Sequence, residues 1–156
     1  AHGCIVAQGA GQDAWVSTHE EPSCTFCEIR DAAAPADMVL DEPDVLAFLD
    51  HRPLFPGHVL LIPRVHHRNL FELPHELVEP LFTATQRLST AVKDAMAADG
   101  ALVATNNGVS QSVDHLHVHV VPRRRGDGLR GFLWPRHRYA ADGEAAEIAS
   151  RIRDAL

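Results

Sequence analysis

The chain has 156 residues, of which 46% are hydrophobic and 22% charged, and its formal net charge is −7. This length and composition predict one folded domain with a sizeable core, and no apolar run is long enough to cross a bilayer. The acidic balance argues against general nucleic-acid binding, so we expect neither a nucleic acid nor a membrane as partner.

The first 22 residues contain three glycines, show no regular apolar pattern and end in a polar run. We interpret them as an N-terminal extension to a single domain over residues 23–156. They lack the basic start and apolar centre of a signal peptide. The three cysteines of the chain are an odd number, which does not fit a secreted disulfide framework, so we expect a cytoplasmic protein.

Short apolar runs in the first half of the chain predict three strands. Two of them, residues 38–40 and 45–49, flank an acidic turn that contains proline, which is typical of a β-hairpin. Prolines and a glycine predict a loop over residues 50–57. The third strand follows at residues 58–63, with His58 at its start.

Apolar residues at three- and four-residue steps predict one long helix from Pro74 to about Ala98. We expect Gly100 to close this helix as its C-terminal glycine. A fourth strand is predicted at residues 101–105, and a short C-terminal helix at residues 142–156.

The fourth strand leads into a polar loop, residues 106–112, and then into a run that alternates His115, His117 and His119 with aliphatic residues. A strand has a side-chain period of two, so all three imidazoles would point to one face and the aliphatic residues to the core. A helix would spread the histidines around its axis. An apolar row backing three imidazoles is rarely a purely structural feature, so we interpret this strand as functional.

Cys24 and Cys27 are separated by two residues, a spacing that presents two thiolates to one tetrahedral metal ion or forms a redox pair. A zinc site needs two further ligands, and His66, His67 and His115 are available. The spacing alone leaves the metal and redox interpretations open.

The histidine run resembles the signature of the histidine triad (HIT) superfamily, in which three histidines alternate with hydrophobic residues. Three other segments also resemble this family and follow its order: Phe48-Leu49-Asp50, the run from Pro56 to Pro63, and Asn106-Asn107-Gly108. The resemblance implies an α+β fold with an antiparallel sheet of about five strands and one long helix. It also implies a homodimer with a continuous larger sheet.

By the same resemblance, the protein cleaves a nucleoside monophosphate from a leaving group or transfers it. His117 matches the nucleophile that attacks the α-phosphorus, forming a nucleotidyl-histidine, while a backbone carbonyl holds its second ring nitrogen. His119 and His58 match residues that donate to the phosphate oxygens and assist the leaving group.

The resemblance further implies a binding site for a purine nucleotide, with adenine expected. Asp50 matches the acid that binds the ribose hydroxyls. The remaining matched positions are three near the phosphates and two in the base pocket: Asn106, Gln111 and Ser112, then Phe26 and Ile29. The loop at residues 106–112 is about two residues shorter than in many relatives, which bears on substrate choice.

A subset of the superfamily binds zinc, and the match implies a structural zinc ion on Cys24, Cys27, His66 and His115. His67 remains the competing ligand. No catalytic metal is required if imidazoles and backbone donors carry the charge.

The favoured substrate is a dinucleoside polyphosphate, as in the Fhit-like branch, because the arginines at 123–125 could meet extra phosphates. The main alternative is a phosphoramidate or aminoacyl adenylate, as in the Hint-like branch. A phosphorylase, a zinc-dependent hydrolase that uses the three histidines as ligands, and a non-catalytic nucleotide-binding signalling module also remain open.

Overall fold

The computed structural model describes residues 24–129 and 138–156. The chain divides into one compact unit that ends at Arg123 and a second that begins at Arg124. The expected N-terminal extension, residues 1–22, lies outside the described residues.

The first unit contains one antiparallel sheet of five strands. The strands are β1 (Met38–Asp41), β2 (Val45–Leu49), β3 (Val59–Pro63), β4 (Gly100–Ala104) and β5 (Val118–Arg123). Their order in the sheet is β1-β2-β3-β5-β4, so β5 lies between β3 and β4, and β4 is an edge strand. The predicted hairpin and the α+β fold with a five-stranded antiparallel sheet are confirmed.

Each face of the sheet carries its own cluster of buried side chains, because neighbouring residues of a strand point to opposite sides. The long helix α2 (His75–Ala95) covers one face and buries Leu81, Leu88 and Val92 in the larger cluster. The short helix α1 (Thr25–Arg30) places Phe26 in the smaller cluster, which also contains Phe48 and residues of β2 and β3.

The long helix is confirmed, but the prediction that Gly100 closes it is wrong. Helix α2 ends at Ala95, and Ala97 adopts the left-handed conformation with a φ of 47°. Ala97 N–H then donates to Asp94, and Ala98 N–H donates to Lys93, which satisfies the last helical carbonyls. Gly100 instead begins β4.

The histidine run enters the sheet later than the sequence suggests, because β5 begins at Val118. The alternation nevertheless holds over the whole run. Leu116, Val118 and Val120 lie in the larger buried cluster, while the rings of His117 and His119 lie together on the other side, with centroids 4.9 Å apart.

The second unit contains the helix α3 (Glu144–Arg153), which confirms the short C-terminal helix, with no buried residue. Among the residues that the structure describes, no helix is both long and apolar enough to cross a membrane.

Gly57 closes the loop before β3, and we expect Gly57→Ala to lower the free energy of unfolding by roughly 2–4 kcal/mol. Its φ of 90° disfavours any side chain, and a Cβ there would lie 2.6 Å from Cγ of Met96. Urea unfolding measures the change.

Two glycines serve as matched controls. Gly108 also has a positive φ, but a Cβ there would meet no atom within 4 Å, so Gly108→Ala isolates the backbone strain. Gly100 has neither constraint, and Gly100→Ala should be neutral. If Gly57→Ala and Gly108→Ala lowered the free energy of unfolding equally, this would contradict a role for the Met96 contact.

Candidate active site

The pairing of β3 with β5 brings the distant histidines together. Leu60 of β3 lies opposite His119 of β5, and His58 precedes β3 by one residue. The rings of His58 and His119 consequently have centroids 5.2 Å apart, and Nε2 of His58 lies 3.0 Å from Nδ1 of His119. Sheet register therefore assembles the three predicted catalytic histidines.

His117 is held in one tautomer. Its Nδ1 lies 2.7 Å from the carbonyl oxygen of His115 and donates to it, because a carbonyl can only accept. Nε2 of the neutral ring then carries the lone pair. His117 is only 3% exposed, and its ring packs against the ring of Phe26 in a T-shaped arrangement with centroids 5.3 Å apart. The structure thus provides an oriented imidazole with a nucleophilic nitrogen.

Thr105 also supports His117, and sequence reasoning missed it. The ladder between β4 and β5 ends at the pair of Ala104 and His119. One residue beyond, Oγ1 of Thr105 donates to the carbonyl oxygen of His117 at 2.8 Å. The hydroxyl satisfies this carbonyl where the regular ladder has ended. No spacing in the sequence singles out this threonine.

His58 lies between Asp50 and His119. The backbone N–H of Leu54 donates to its Nδ1 at 3.3 Å, so Nε2 carries the proton and donates to Nδ1 of His119. The outer nitrogen of a neutral His119 is then a donor. Oδ2 of Asp50 lies 3.4 Å from Nδ1 of His58, and its Oδ1 accepts from the N–H of Arg52.

Burial keeps the rings of His58 and His119 neutral at neutral pH. Burial lowers the pKa of His119 to about 4, and the rings of His117 and His58 act in the same direction. Burial also lowers the pKa of His58, against the opposing effect of the Asp50 carboxylate. A neutral ring pair can donate and accept in one chain, which two imidazolium ions cannot.

A second cluster consists of Cys24, Cys27, His66 and His115, whose ligand atoms all lie within 4.8 Å of one another. Nδ1 of His115 is 3.5 Å from Sγ of Cys24 and 3.6 Å from Sγ of Cys27, and Nδ1 of His66 is 3.4 Å from Sγ of Cys27. These four residues could hold a metal ion. Cys24 precedes α1 and Cys27 lies in its first turn.

The chemistry of these donors fits a metal ion. Nε2 of His115 donates to the carbonyl oxygen of Pro63 at 2.9 Å, so the lone pair of Nδ1 faces the two sulfurs. Burial raises the pKa of the Cys27 thiol to about 11, with the neighbouring Cys24 adding to the effect. A cation would favour the thiolate. Nε2 of His67 is buried with no hydrogen-bond partner among the described residues, and His67 lies outside this cluster.

The loop at residues 106–112 is held by its own side chains. Nδ2 of Asn106 donates to the carbonyl oxygen of Ser110 at 3.1 Å. Gln111 accepts from the N–H of Gly108 through Oε1 and donates to the carbonyl oxygen of Arg68 through Nε2. Two of the three residues expected near the phosphates thus hold the loop itself.

The remaining expected site residues lie at different depths. Phe26 is 7% exposed and belongs to the smaller buried cluster, against which the half-buried Ile29 packs. Ser112 is exposed in the loop.

Comparison with known proteins connects this geometry to a family. The HIT domain model matches residues 31–126, which is more than half of the chain. The chain belongs to the HIT family.

Several curated relatives are similar to this HIT protein over most of its length. Protein hit of Bacillus subtilis is 37% identical over 76% of this chain and 83% of its own. Adenylylsulfatase HINT3 of Arabidopsis thaliana is 31% identical over 83% and 68% of the two chains. Adenosine 5'-monophosphoramidase HNT1 of Saccharomyces cerevisiae is 34% identical over 74% and 72%.

Solved structures share the fold. A HIT-family protein from Bacillus subtilis superposes with a TM-score of 0.80 at 33% identity, over 86% of this chain and 98% of that one. A zinc-bound histidine triad protein from Mycobacterium smegmatis gives a TM-score of 0.65 at 34% identity, with the same coverage. The predicted family and fold are therefore confirmed.

We expect the pH dependence of stability to change in His119→Asn. Burial gives the folded His119 a pKa of about 4, whereas an unfolded histidine titrates near about 6.5. Between these values the unfolded chain binds the additional proton, so this contribution is complete above about pH 6.5 and is lost as the pH falls towards about 4. Urea midpoints of metal-free protein should fall less steeply with decreasing pH in the variant.

His51→Asn is the control, because the His51 side chain is 87% exposed, and it should keep the slope of the unmodified protein. If His119→Asn retained that slope as well, burial of a neutral His119 would not contribute to stability.

Proposed function

We propose that this HIT protein transfers an adenosine monophosphate group from a leaving group to water, with His117 as nucleophile. The observation that carries the proposal is the hydrogen bond from Nδ1 of His117 to the carbonyl oxygen of His115. This bond leaves the lone pair on Nε2, beside the paired rings of His119 and His58.

The reaction proceeds in two displacements at the α-phosphorus. Nε2 of His117 forms a bond to phosphorus, and the leaving group departs with the electrons of the broken bond. Transfer to the ring makes it cationic, and the carbonyl of His115 stabilises the proton on Nδ1. Water then attacks the same phosphorus and gives up a proton to the solvent, the bond from phosphorus to Nε2 breaks, AMP leaves, and His117 regains its lone pair.

His119 acts as a hydrogen-bond donor in this scheme. His58 donates to Nδ1 of His119, so the outer nitrogen of His119 presents its N–H to the phosphate oxygens or to the leaving group. A donor fixed before the reaction stabilises developing charge without reorganising. Asp50, by its match to the family, binds the ribose.

Two relatives bear on the leaving group, because one is named an adenylylsulfatase and the other an adenosine 5'-monophosphoramidase. Both names describe AMP joined to a small group. They favour an AMP phosphoramidate or adenylyl sulfate as the first candidate substrate of this protein. A dinucleoside polyphosphate, which the sequence favoured, remains the second candidate, and Arg52 in the exposed loop before β3 could meet its additional phosphates.

We further propose that Cys24, Cys27, His66 and His115 hold a structural zinc ion. When bound there, zinc would fix α1 to the segment that carries His115, and it would supply folding energy. His115 would then orient the nucleophile through its carbonyl.

The edge strand β4, where Val103 is 44% exposed, is the surface we assign to the expected homodimer.

The reaction is tested with adenosine 5'-phosphoramidate, adenylyl sulfate and diadenosine tri- and tetraphosphate, each with and without inorganic phosphate. We expect AMP release from the first two to be fastest. His117→Ala should lower kcat/KM by about 10³ or more, because it removes the nucleophile. His75→Ala, an exposed histidine on α2, should keep the activity.

A faster reaction with the diadenosine substrates would select the second candidate. If the protein cleaved none of these substrates but still bound AMP, the result would favour a nucleotide-binding signalling module over an enzyme. A His117→Ala variant that retained its activity would exclude the covalent route.

The zinc proposal predicts one equivalent of zinc in protein purified with its thiols reduced, and its loss in Cys24→Ser and Cys27→Ser. Cys4→Ser is the matched control and should keep the metal. His66→Asn should lose zinc and His67→Asn should not, since only His66 lies in the cluster. Metal analysis and thermal unfolding measure both effects, and less than a tenth of an equivalent in the unmodified protein would contradict the proposal.

A further inference from the structure

Asp50, His58 and His119 form a second group of potential metal ligands, separate from the thiol cluster. Their ligand atoms lie within 4.8 Å of one another. His58 is buried, and Asp50 and His119 are half-buried. The fold therefore brings the three residues together and leaves two of them partly exposed to solvent.

The spacing of the two rings suits a tetrahedral ion. Zn–N bonds of about 2.0–2.1 Å place two ligand nitrogens about 3.3 Å apart. Nε2 of His58 and Nδ1 of His119 already lie 3.0 Å apart, and the ring planes are inclined by 38°. A small rotation of the half-buried His119 would open the space that an ion needs.

The carboxylate behind His58 strengthens this reading. A histidine that binds metal through one nitrogen almost always donates its other N–H to a carboxylate, a carbonyl or water. Here Oδ2 of Asp50 lies 3.4 Å from Nδ1 of His58. If the proton of His58 moved from Nε2 to Nδ1, the hydrogen bond from the Leu54 N–H would be lost, Asp50 would accept the new hydrogen bond and Nε2 would bind the ion.

We propose that His58 and His119 form a second binding site for a divalent transition-metal ion that prefers imidazole, such as zinc, with Asp50 as the supporting acceptor. The ion replaces the proton that the two rings share. Two protein nitrogens leave further positions for water or a phosphate oxygen, so this site is the weaker of the two. It contains no sulfur ligand.

Metal binding here does not depend on the proposed reaction, although the two are connected. The hydrogen bond from His58 holds the ring of His119 in place, and a bound ion would take the place of that hydrogen bond. The outer nitrogen of His119 would keep its N–H, but the ring would leave the position it holds in the metal-free protein, so excess metal should inhibit an enzyme of the proposed type.

The site is tested by titrating cobalt(II) into reduced, metal-free protein and recording its absorption spectrum, with zinc binding followed by calorimetry. The first equivalent should give intense sulfur-to-cobalt charge-transfer bands. A second, weaker equivalent should add only the weak bands of a nitrogen and oxygen site. Neither readout requires a substrate.

Variants identify the residues that bind the second equivalent of metal. His119→Asn and His58→Asn should abolish it and keep the sulfur bands, and Asp50→Asn should weaken it by about 10- to 100-fold. Cys24→Ser/Cys27→Ser should lose the sulfur bands and keep the second site. His75→Asn controls for binding to an exposed histidine, and circular dichroism checks the folding of each variant.

Two results would overturn the proposal. One is the absence of a second equivalent in the unmodified protein, and the other is its persistence in both His58→Asn and His119→Asn. Failure of the substrate panel would leave either metal result unchanged, so the two proposals can fail separately.

Discussion

Both clusters depend on His115, through its buried ring and through its backbone carbonyl. Its buried ring donates to Pro63 on one side and faces two sulfurs on the other, while its carbonyl accepts the N–H of His117. One residue thus joins the four residues that could hold a metal ion to the candidate nucleophile. Because the ring can leave neither contact without losing a hydrogen bond in a dry interior, the carbonyl is held where His117 needs it.

On the face of the candidate active site, the neutral rings of His58 and His119 are joined by hydrogen bonds that fix their tautomers. Burial of a charge would be costly here, and the lowered pKa values of His58 and His119 express that cost. A neutral pair still needs a donor and an acceptor at each contact. The N–H of Leu54 sets the direction of these hydrogen bonds by donating to His58, so the loop before β3 determines that the outer nitrogen of His119 carries a proton.

The period of two in the histidine run predicted the two faces of β5, since side-chain direction in an extended chain is a local property. Spacing could not predict that the ladder begins only at Val118, nor that Thr105 supports the carbonyl of His117. Gly100 was assigned to the helix end because glycine favours a positive φ, but Ala97 takes that conformation. The pairing of His58 with His119 required the strand order, which depends on tertiary packing.

Under the proposed function, the hydrogen bonds that the loop at residues 106–112 already makes bear on the size of the leaving group. Asn106 donates within the loop, and Gln111 joins it to Arg68, while Ser110 adopts a φ of 57°. A substrate that recruits either amide must break these bonds and disturb a strained turn, which costs binding energy. A small leaving group needs no such recruitment, because His119 alone can donate to it. Under the proposed function, the loop would therefore favour AMP joined to a small group over AMP joined to a second nucleotide.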